Sequence, residues 1–214
     1  MISFSFFRPA MGMTAALGMA VCALMAAAQP SVRADAGQAQ HFIADLGAQA
    51  IAVLAHNGQP IEQREAIFRA MLAQKFSLGF IGRFVLGRHW QTATPDQQEE
   101  YQALFSEFVI HNYASMLGGY ADEKFEVESA AAAGQQDMIV GSRITGGGKE
   151  PLHVDWRVRL VDGQLRIIDV SVGGVSMSIT QREEFSALIQ RDGVEGLLDV
   201  LRARTLGLPA EGPE

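Results

Sequence analysis

"HVDWRVRLVDGQLRIIDVSV", residues 153–172, alternates apolar and polar side chains on both sides of an Asp-Gly pair. Such alternation is the mark of a strand with one buried face, and two such runs around Asp162-Gly163 make a β-hairpin. On the first run Val154, Trp156, Val158 and Leu160 share a face, and His153, Asp155, Arg157 and Arg159 share the other. On the return run Ile168, Val170 and Val172 lie on one face, with Asp169 and Ser171 opposite. A two-residue Asp162-Gly163 loop with an unbroken ladder would set Asp169 across from Trp156. A three-residue loop, Val161 to Gly163 with Gly163 left-handed, sets Ile168 across from Trp156 and Val170 across from Val154. One residue of slip moves every side chain to the other face. The three-residue loop keeps one face apolar, so the pattern predicts that loop.

Upstream, Lys124–Ser129 and Met138–Thr145 also alternate, and Gly146-Gly147-Gly148 between the strands marks a turn. Before residue 120 the period changes to that of helices. His41–Ala55 spaces Phe42, Leu46, Ile51 and Leu54 along one amphipathic segment, which Asn57-Gly58 ends. Pro60 opens a second segment with Ile61, Ile67, Phe68, Met71 and Leu72. A short apolar run, Leu78–Leu86, precedes the best-specified helix of the chain. Thr94 and Gln97 form a Thr-x-x-Gln capping box around Pro95. Tyr101, Leu104, Phe105, Phe108 and Val109 follow at helical spacing toward Leu117, before Gly118-Gly119. Two helices, Thr180–Gln190 and Val194–Arg204, close the chain. Helices first and a meander of strands afterwards predict an α+β fold, with a helical N-terminal half packed on an antiparallel sheet.

Residues 1–34 stand apart. Arg8 is the sole charge before the apolar run from Met11 to Ala28, and small residues follow, with exits after Ala28 or Ala34. This is the layout of a secretory signal peptide. The run is near the lower length of a spanning helix, which makes a permanent anchor the alternative. Val21 before Cys22 argues against a lipoprotein. We therefore read residues 1–34 as a signal peptide and 35–214 as one domain. Cys22 is the only cysteine, so the exported chain has no thiol for catalysis, iron–sulfur clusters or cysteine zinc sites. Arg8 and Arg33 are the only charges in residues 1–34, and without them the formal net charge goes from −7 to −9. An acidic chain of this kind is not suited to nucleic acid or to anionic lipid headgroups.

Candidate chemistry is sparse. Ser176 in "GGVSMS", 173–178, follows a strand and precedes a helix, as a nucleophile elbow does. Ser178 stands where the second glycine belongs, so the stretch reads better as a strand-to-helix turn, capped by Ser178 through Gln181 or by Thr180 through Glu183. "GGGK", 146–149, lacks the first glycine and the Ser/Thr of a phosphate loop. His41, His56, His89, His111 and His153 include no i, i+4 pair. His153 and Asp155 share a strand face, which reads as a solvated sheet surface. What remains is apolar: Phe80, Ile81, Phe84, Val85 and Leu86 before the long helix, the aromatic residues on it, and the face with Trp156. A solid core and a ligand cavity draw on the same residue types.

Four stretches, in order, resemble the MlaC or toluene-tolerance family of auxiliary transport proteins: "IGRFVLGRHWQTATPDQQEEYQALFSEFV", "VDWRVRL", "GVSMSITQREEF" and "RDGVEGLLDVLR". The hopanoid-associated HpnM branch is similar too. The resemblance runs from about Phe42 to Arg204. It departs at Gly173, where relatives often carry Glu, and in the wording of "FSLGFIGRF".

The resemblance implies a periplasmic carrier of phospholipid with no cofactor and no catalysis, and we expect the exported chain to be a monomer that works without metal. It implies exchange of a two-chain lipid between an outer-membrane lipoprotein–porin complex and an inner-membrane ABC transporter, which maintains outer-membrane lipid asymmetry. The other readings are a hopanoid-associated carrier, an envelope hydrolase using Ser176 or His153, and a purely structural or interaction module of the envelope. It also implies acyl chains held between the helices and a curved sheet. On that basis the expected lipid contacts are Ile81, Phe84 and Val85 before the long helix, and Phe105, Phe108, Val109 and Tyr113 on it. The sheet would add Val154, Trp156, Val158, Ile168, Val170 and Val172, with Met177 beyond.

Overall fold

The computed structural model describes residues 34–54, 58, 60–114 and 123–206. The proposed signal segment before Ala34, the end of the long helix beyond Ala114 and the Gly118-Gly119 stop lie outside them.

The helical half comprises α1 (Ala36–Leu54), α2 (Ile61–Lys75), α3 (Leu78–Leu86), a 3-10 turn (Gly87–Gln91) and α4 (Pro95–Ala114). Strands β1 (Lys124–Ala133), β2 (Asp137–Gly146), β3 (Lys149–Val161), β4 (Gln164–Val172) and the short β5 (Val175–Ser176) follow, and α5 (Met177–Thr205) closes the fold. The strands form one open antiparallel sheet in sequence order, β1 to β5. The architecture is α+β, as the change of period predicted.

The capping box at α4 is reciprocal. Thr94 Oγ1 accepts from the Gln97 amide at 3.2 Å, and Gln97 Oε1 accepts from the Thr94 amide at 3.1 Å. Two otherwise orphaned amides are thereby satisfied. The two closing helices are one run broken at Gly193, whose φ of 74° is open to glycine without strain. Their cap corrects the sequence reading. Ser176, rather than Ser178 or Thr180, stands at the N-cap and accepts from the Ile179 amide at 3.1 Å.

The hairpin corrects it further. Val161 pairs with Gln164, so the loop is the two-residue Asp162-Gly163, with φ of 51° and 74°. Both values are left-handed, as a type I′ turn requires. The extra residue sits in the strand instead. Val158 pairs with Ile167 and Arg157 with Asp169, leaving Ile168 as a β-bulge. Trp156 therefore faces Val170, and Val154 faces Val172. The bulge does what the longer loop was expected to do: it keeps Val170 and Val172 on the apolar face. β1 also runs four residues past Ser129, because Ala130–Ala133 pair along β2 despite alanine's weak strand preference.

The buried residues form two clusters. One joins α1 and α2 to the sheet through Ile43, Leu46, Phe68, Met71, Met138, Val140, Val158 and Ile167. The other joins α3, α4 and α5 through Val85, Leu86, Tyr101, Phe105, Phe108, Phe185, Leu197 and Leu201. A compact domain ordinarily has one contiguous core.

Tyr101 anchors the second cluster. It has no solvent exposure, and its hydroxyl donates to the Gly82 carbonyl at 3.0 Å. Burial pushes its pKa well above the ordinary value of 10.0. The folded state thus keeps the proton after the unfolded chain has lost it. The associated stability is fully present below about pH 10 and declines as pH rises beyond that. Tyr101→Phe should flatten the fall of unfolding free energy between about pH 10 and 11.5 by up to one proton's slope, at a cost of about 1 kcal/mol at neutral pH. Urea titrations across that range check this, and equal slopes in both proteins would contradict it.

Candidate functional site

The two clusters fail to merge because a cavity of about 760 Å³ lies between their walls. Each wall follows from a repeat in the sequence. On α3, Leu78, Ile81 and Val85 line it at i, i+3 and i+7. On α4, Phe105, Phe108, Val109 and Asn112 do so at i, i+3, i+4 and i+7. From the sheet come Val154 and Trp156 and their ladder partners Val172 and Val170, at the strand period of two. Helix α1 contributes Leu46, Gly47, Ala50 and Ile51, and α2 contributes Phe68, Met71 and Leu72. Phe76, Phe125, Ile144, Leu152 and Met177 complete the apolar lining.

Trp156 is fixed by a buried serine. Its indole Nε1 donates to Ser142 Oγ at 2.8 Å, and Ser142 donates to the Val154 carbonyl at 3.0 Å. Ser142 is 1% exposed on an otherwise apolar face. A tryptophan in an apolar wall needs such a partner for its N–H. Phe125 packs edge-on against the indole, with centroids 6.2 Å apart. Gly47 is needed over that ring, because a Cβ at this position would collide with Phe125.

The polar residues of the lining are Asn112, Glu123, Asp169, Ser178 and Gln181. Among the described residues no arginine, lysine or histidine lines the cavity. Asp169 is committed to local structure: it accepts from Ser176 Oγ at 2.6 Å, the Val170 amide at 2.9 Å and the Ser178 amide at 3.2 Å. Ser176 spends its hydroxyl proton on that carboxylate and its lone pair on the helix cap. The hydroxyl's environment is Asp169, Ser178 and the Ile179 amide, that of a capping serine beside a committed carboxylate rather than an activating histidine. His153 sits on the opposite sheet face, with Nδ1 3.7 Å from Glu128. Among the described residues no three His, Cys, Asp or Glu side chains gather as metal ligands would.

Ser176→Ala should lower the unfolding free energy by about 1–2 kcal/mol through loss of the cap and leave the contents of the cavity unchanged. Chemical denaturation with extraction of bound ligand checks both. Loss of a measurable esterase activity in this variant would assign the serine a chemical role instead.

Ten expected contacts lie in the cavity wall: Ile81, Val85, Phe105, Phe108, Val109, Val154, Trp156, Val170, Val172 and Met177. Three do not. Phe84 falls off the Ile81–Val85 stripe of α3 and packs in the second cluster under Arg182, 5.2 Å from its ring centroid. Val158 has no exposure and is solid core, paired with Met138 and Ile167. Ile168 is the bulged residue, buried at 4% exposure outside the lining. The side chain of Tyr113 lies outside the described residues. Sequence reasoning missed the walls from α1 and α2. Their apolar spacing is visible, but it reads as ordinary helix packing. Nothing in the sequence singles out Ser142.

The family model described as MlaC protein matches residues 45–203. The intermembrane phospholipid transport system binding protein MlaC of Haemophilus influenzae is 26% identical over 136 residues, which is 62% of this chain and 64% of that protein. The toluene tolerance protein ttg2D of Pseudomonas putida is 22% identical over 134 residues, or 63% of this chain and 56% of that protein. The chain thus spans roughly three-fifths of the length of these curated relatives. A phospholipid-binding protein of Ralstonia solanacearum, solved in complex with a phospholipid, superposes with a TM-score of 0.70. It is 25% identical, and the match covers 81% of this chain and 98% of that one.

Proposed function

Because the chain belongs to the MlaC family, we propose that it is a phospholipid carrier whose cavity holds the acyl chains. The observation that carries this reading is the apolar space between two separate core clusters. At about 24 cal/mol per Å³, a dry void of about 760 Å³ would cost on the order of 18 kcal/mol. Solvent at the mouth lowers that figure. Even a fraction of it is large beside the about 5–15 kcal/mol that keeps a domain folded. Such a space is tolerable when an apolar occupant fills it. Each buried CH₂ contributes about 0.8 kcal/mol, so ten of them approach ~8 kcal/mol before ordering costs. No charged recognition group is needed for affinity. The headgroup stays at the mouth, in solvent, near neutral and acidic side chains.

In this reading the protein is exported by residues 1–34 and works as a monomer in the periplasm. There it carries phospholipid between an outer-membrane lipoprotein–porin complex and an inner-membrane ABC transporter, and so maintains outer-membrane lipid asymmetry. The relatives support it by their own descriptions, one as an intermembrane phospholipid transport binding protein and one as a phospholipid complex. No helix among the described residues is long and apolar enough to cross a membrane. No catalysis, cofactor or metal has a part in this function.

A transfer assay tests it. Addition of the protein should accelerate movement of a pyrene-labelled phospholipid from donor to acceptor vesicles, and EDTA should leave the rate unchanged. A rate equal to that of vesicles alone would overturn the proposal.

A further inference from the structure

Helix α3 has two working faces. Ile81 and Val85 point into the cavity. The opposite side and its neighbours carry Phe80, Arg83, Phe84, Arg88, Trp90 and, from α5, Arg182. The guanidinium of Arg83 lies over the Trp90 ring at 4.9 Å, and that of Arg182 over the Phe84 ring at 5.2 Å. Phe80 is 39% exposed. Arg159 covers it at 4.9 Å, but that charge is already answered by Asp137.

Charge bears on this face as well. Arg69, Arg143, Arg191 and Arg202 each pair with a carboxylate, while Arg166 and Arg204, on other elements, stand singly without one among the described residues. Arg83, Arg88 and Arg182 have no ion-pair partner among the described residues, although Glu183 and Glu184 adjoin Arg182 on α5. Three positive charges without an ion-pair partner therefore lie along α3, the 3-10 turn that follows it and the part of α5 packed on it, in a chain whose net charge is −7. His89 lies next to Arg88, and burial, then the charge of Arg88, hold its pKa below the ordinary value.

Arginines stacked on aromatic rings are the composition of interface hot spots. The rings hold the guanidinium groups in place, which lowers the ordering cost of engaging an anion. The geometry points to a docking surface for a protein partner that presents a patch of aspartate and glutamate. An anionic bilayer fits less well. An extended flat surface brings more of this acidic molecule within a screening length of about 8 Å than a compact acidic patch does. The surface is one helix thick, so a partner docked on it would bear directly on the cavity wall. Its existence does not depend on what the cavity holds.

Gly79 gives a place to test this, since a side chain built there meets nothing within 4 Å and the residue is exposed beside Phe80 and Arg83. A photoreactive benzoyl-phenylalanine at position 79 of the full chain, irradiated in cells that produce the protein naturally, should give a discrete protein adduct. Mass spectrometry of the adduct should find the partner's contact peptide rich in Asp and Glu. Arg83→Glu with Arg88→Glu, both at exposed positions, should reduce the adduct by about tenfold through like-charge repulsion. The same double variant should keep its melting temperature and its bound ligand, which separates this result from any failure of the carrier reading. No adduct, an adduct with a peptide lacking acidic residues, an adduct with lipid alone, or an adduct indifferent to the double variant would each overturn the proposal.

Discussion

Trp156→Arg is expected to reduce bound phospholipid at least tenfold while the protein remains folded. Trp156 lines the cavity, its indole hydrogen-bonded to Ser142 and packed edge-on against Phe125. The substitution removes an aromatic pair worth about 0.5–1.5 kcal/mol and places a charge against the acyl chains, where it lacks a partner. In a solid core such a change would unfold the domain. Here the side chain has a void to occupy, with the Glu123 carboxylate among the lining residues to reach toward. The unfolding free energy should therefore drop by a modest ~2–3 kcal/mol. Lipid extraction and denaturant titration of the same preparation separate the two effects. A folded variant with normal lipid content would show that the wall has been assigned to the wrong face.

Phe105→Ala should have the larger effect on stability. Phe105 is 1% exposed, stacks on Tyr101 at 5.7 Å and meets Phe185 edge-on at 6.4 Å. It belongs both to the α3–α4–α5 core and to the cavity wall. Truncation of a buried phenylalanine costs about 3–5 kcal/mol. For a chain of this size that lowers the melting temperature by roughly 10 °C. Added phospholipid should recover part of the loss by mass action, because the occupant binds the folded state alone. Phe105→Leu, which refills most of the volume, should cost less than half as much. Calorimetry with and without lipid checks the series. A loss below about 1 kcal/mol would contradict the packing described here.

Much of the fold is legible in the chain's local patterns. Thr94 and Gln97 announce the start of α4, and the alternation around Trp156 marks the strand and its apolar face. What fails is arithmetic in the hairpin. An extra residue in the loop and an extra residue in the strand restore the same face, so hydrophobic pattern alone does not separate them. The turn chemistry does carry the answer: Asp-Gly suits a two-residue type I′ turn, and the consecutive Ile167 and Ile168 are where a bulge buries two apolar neighbours. The cap of α5 is ambiguous for a related reason. Several hydroxyls in close succession, at 176, 178 and 180, can each serve as a cap, and the strand's end at Ser176 decides among them.

The candidate site is legible in its sheet and its α4 wall, since those faces follow from simple periods. It is less so elsewhere. Phe84 and Val85 are adjacent, yet only Val85 lines the cavity, because about 100° of helix rotation separates them. Val158 and Val154 share a strand face, yet Val158 lies where helices fill the space and Val154 where they do not. That difference depends on how far apart α1 and α4 sit, which no local pattern encodes. The α3 surface is partly hidden too, because Arg182 reaches Phe84 from α5, far along the chain, although Arg83 stacks on nearby Trp90.

The central claim is that the space between the two clusters is occupied by one phospholipid. Native mass spectrometry of the protein purified without detergent tests it most directly. The predicted spectrum is the mass of the chain plus a single phospholipid, with Trp156→Arg giving the chain alone. A wild-type protein that stays at the mass of the chain alone, even after incubation with phospholipid vesicles, would contradict the account.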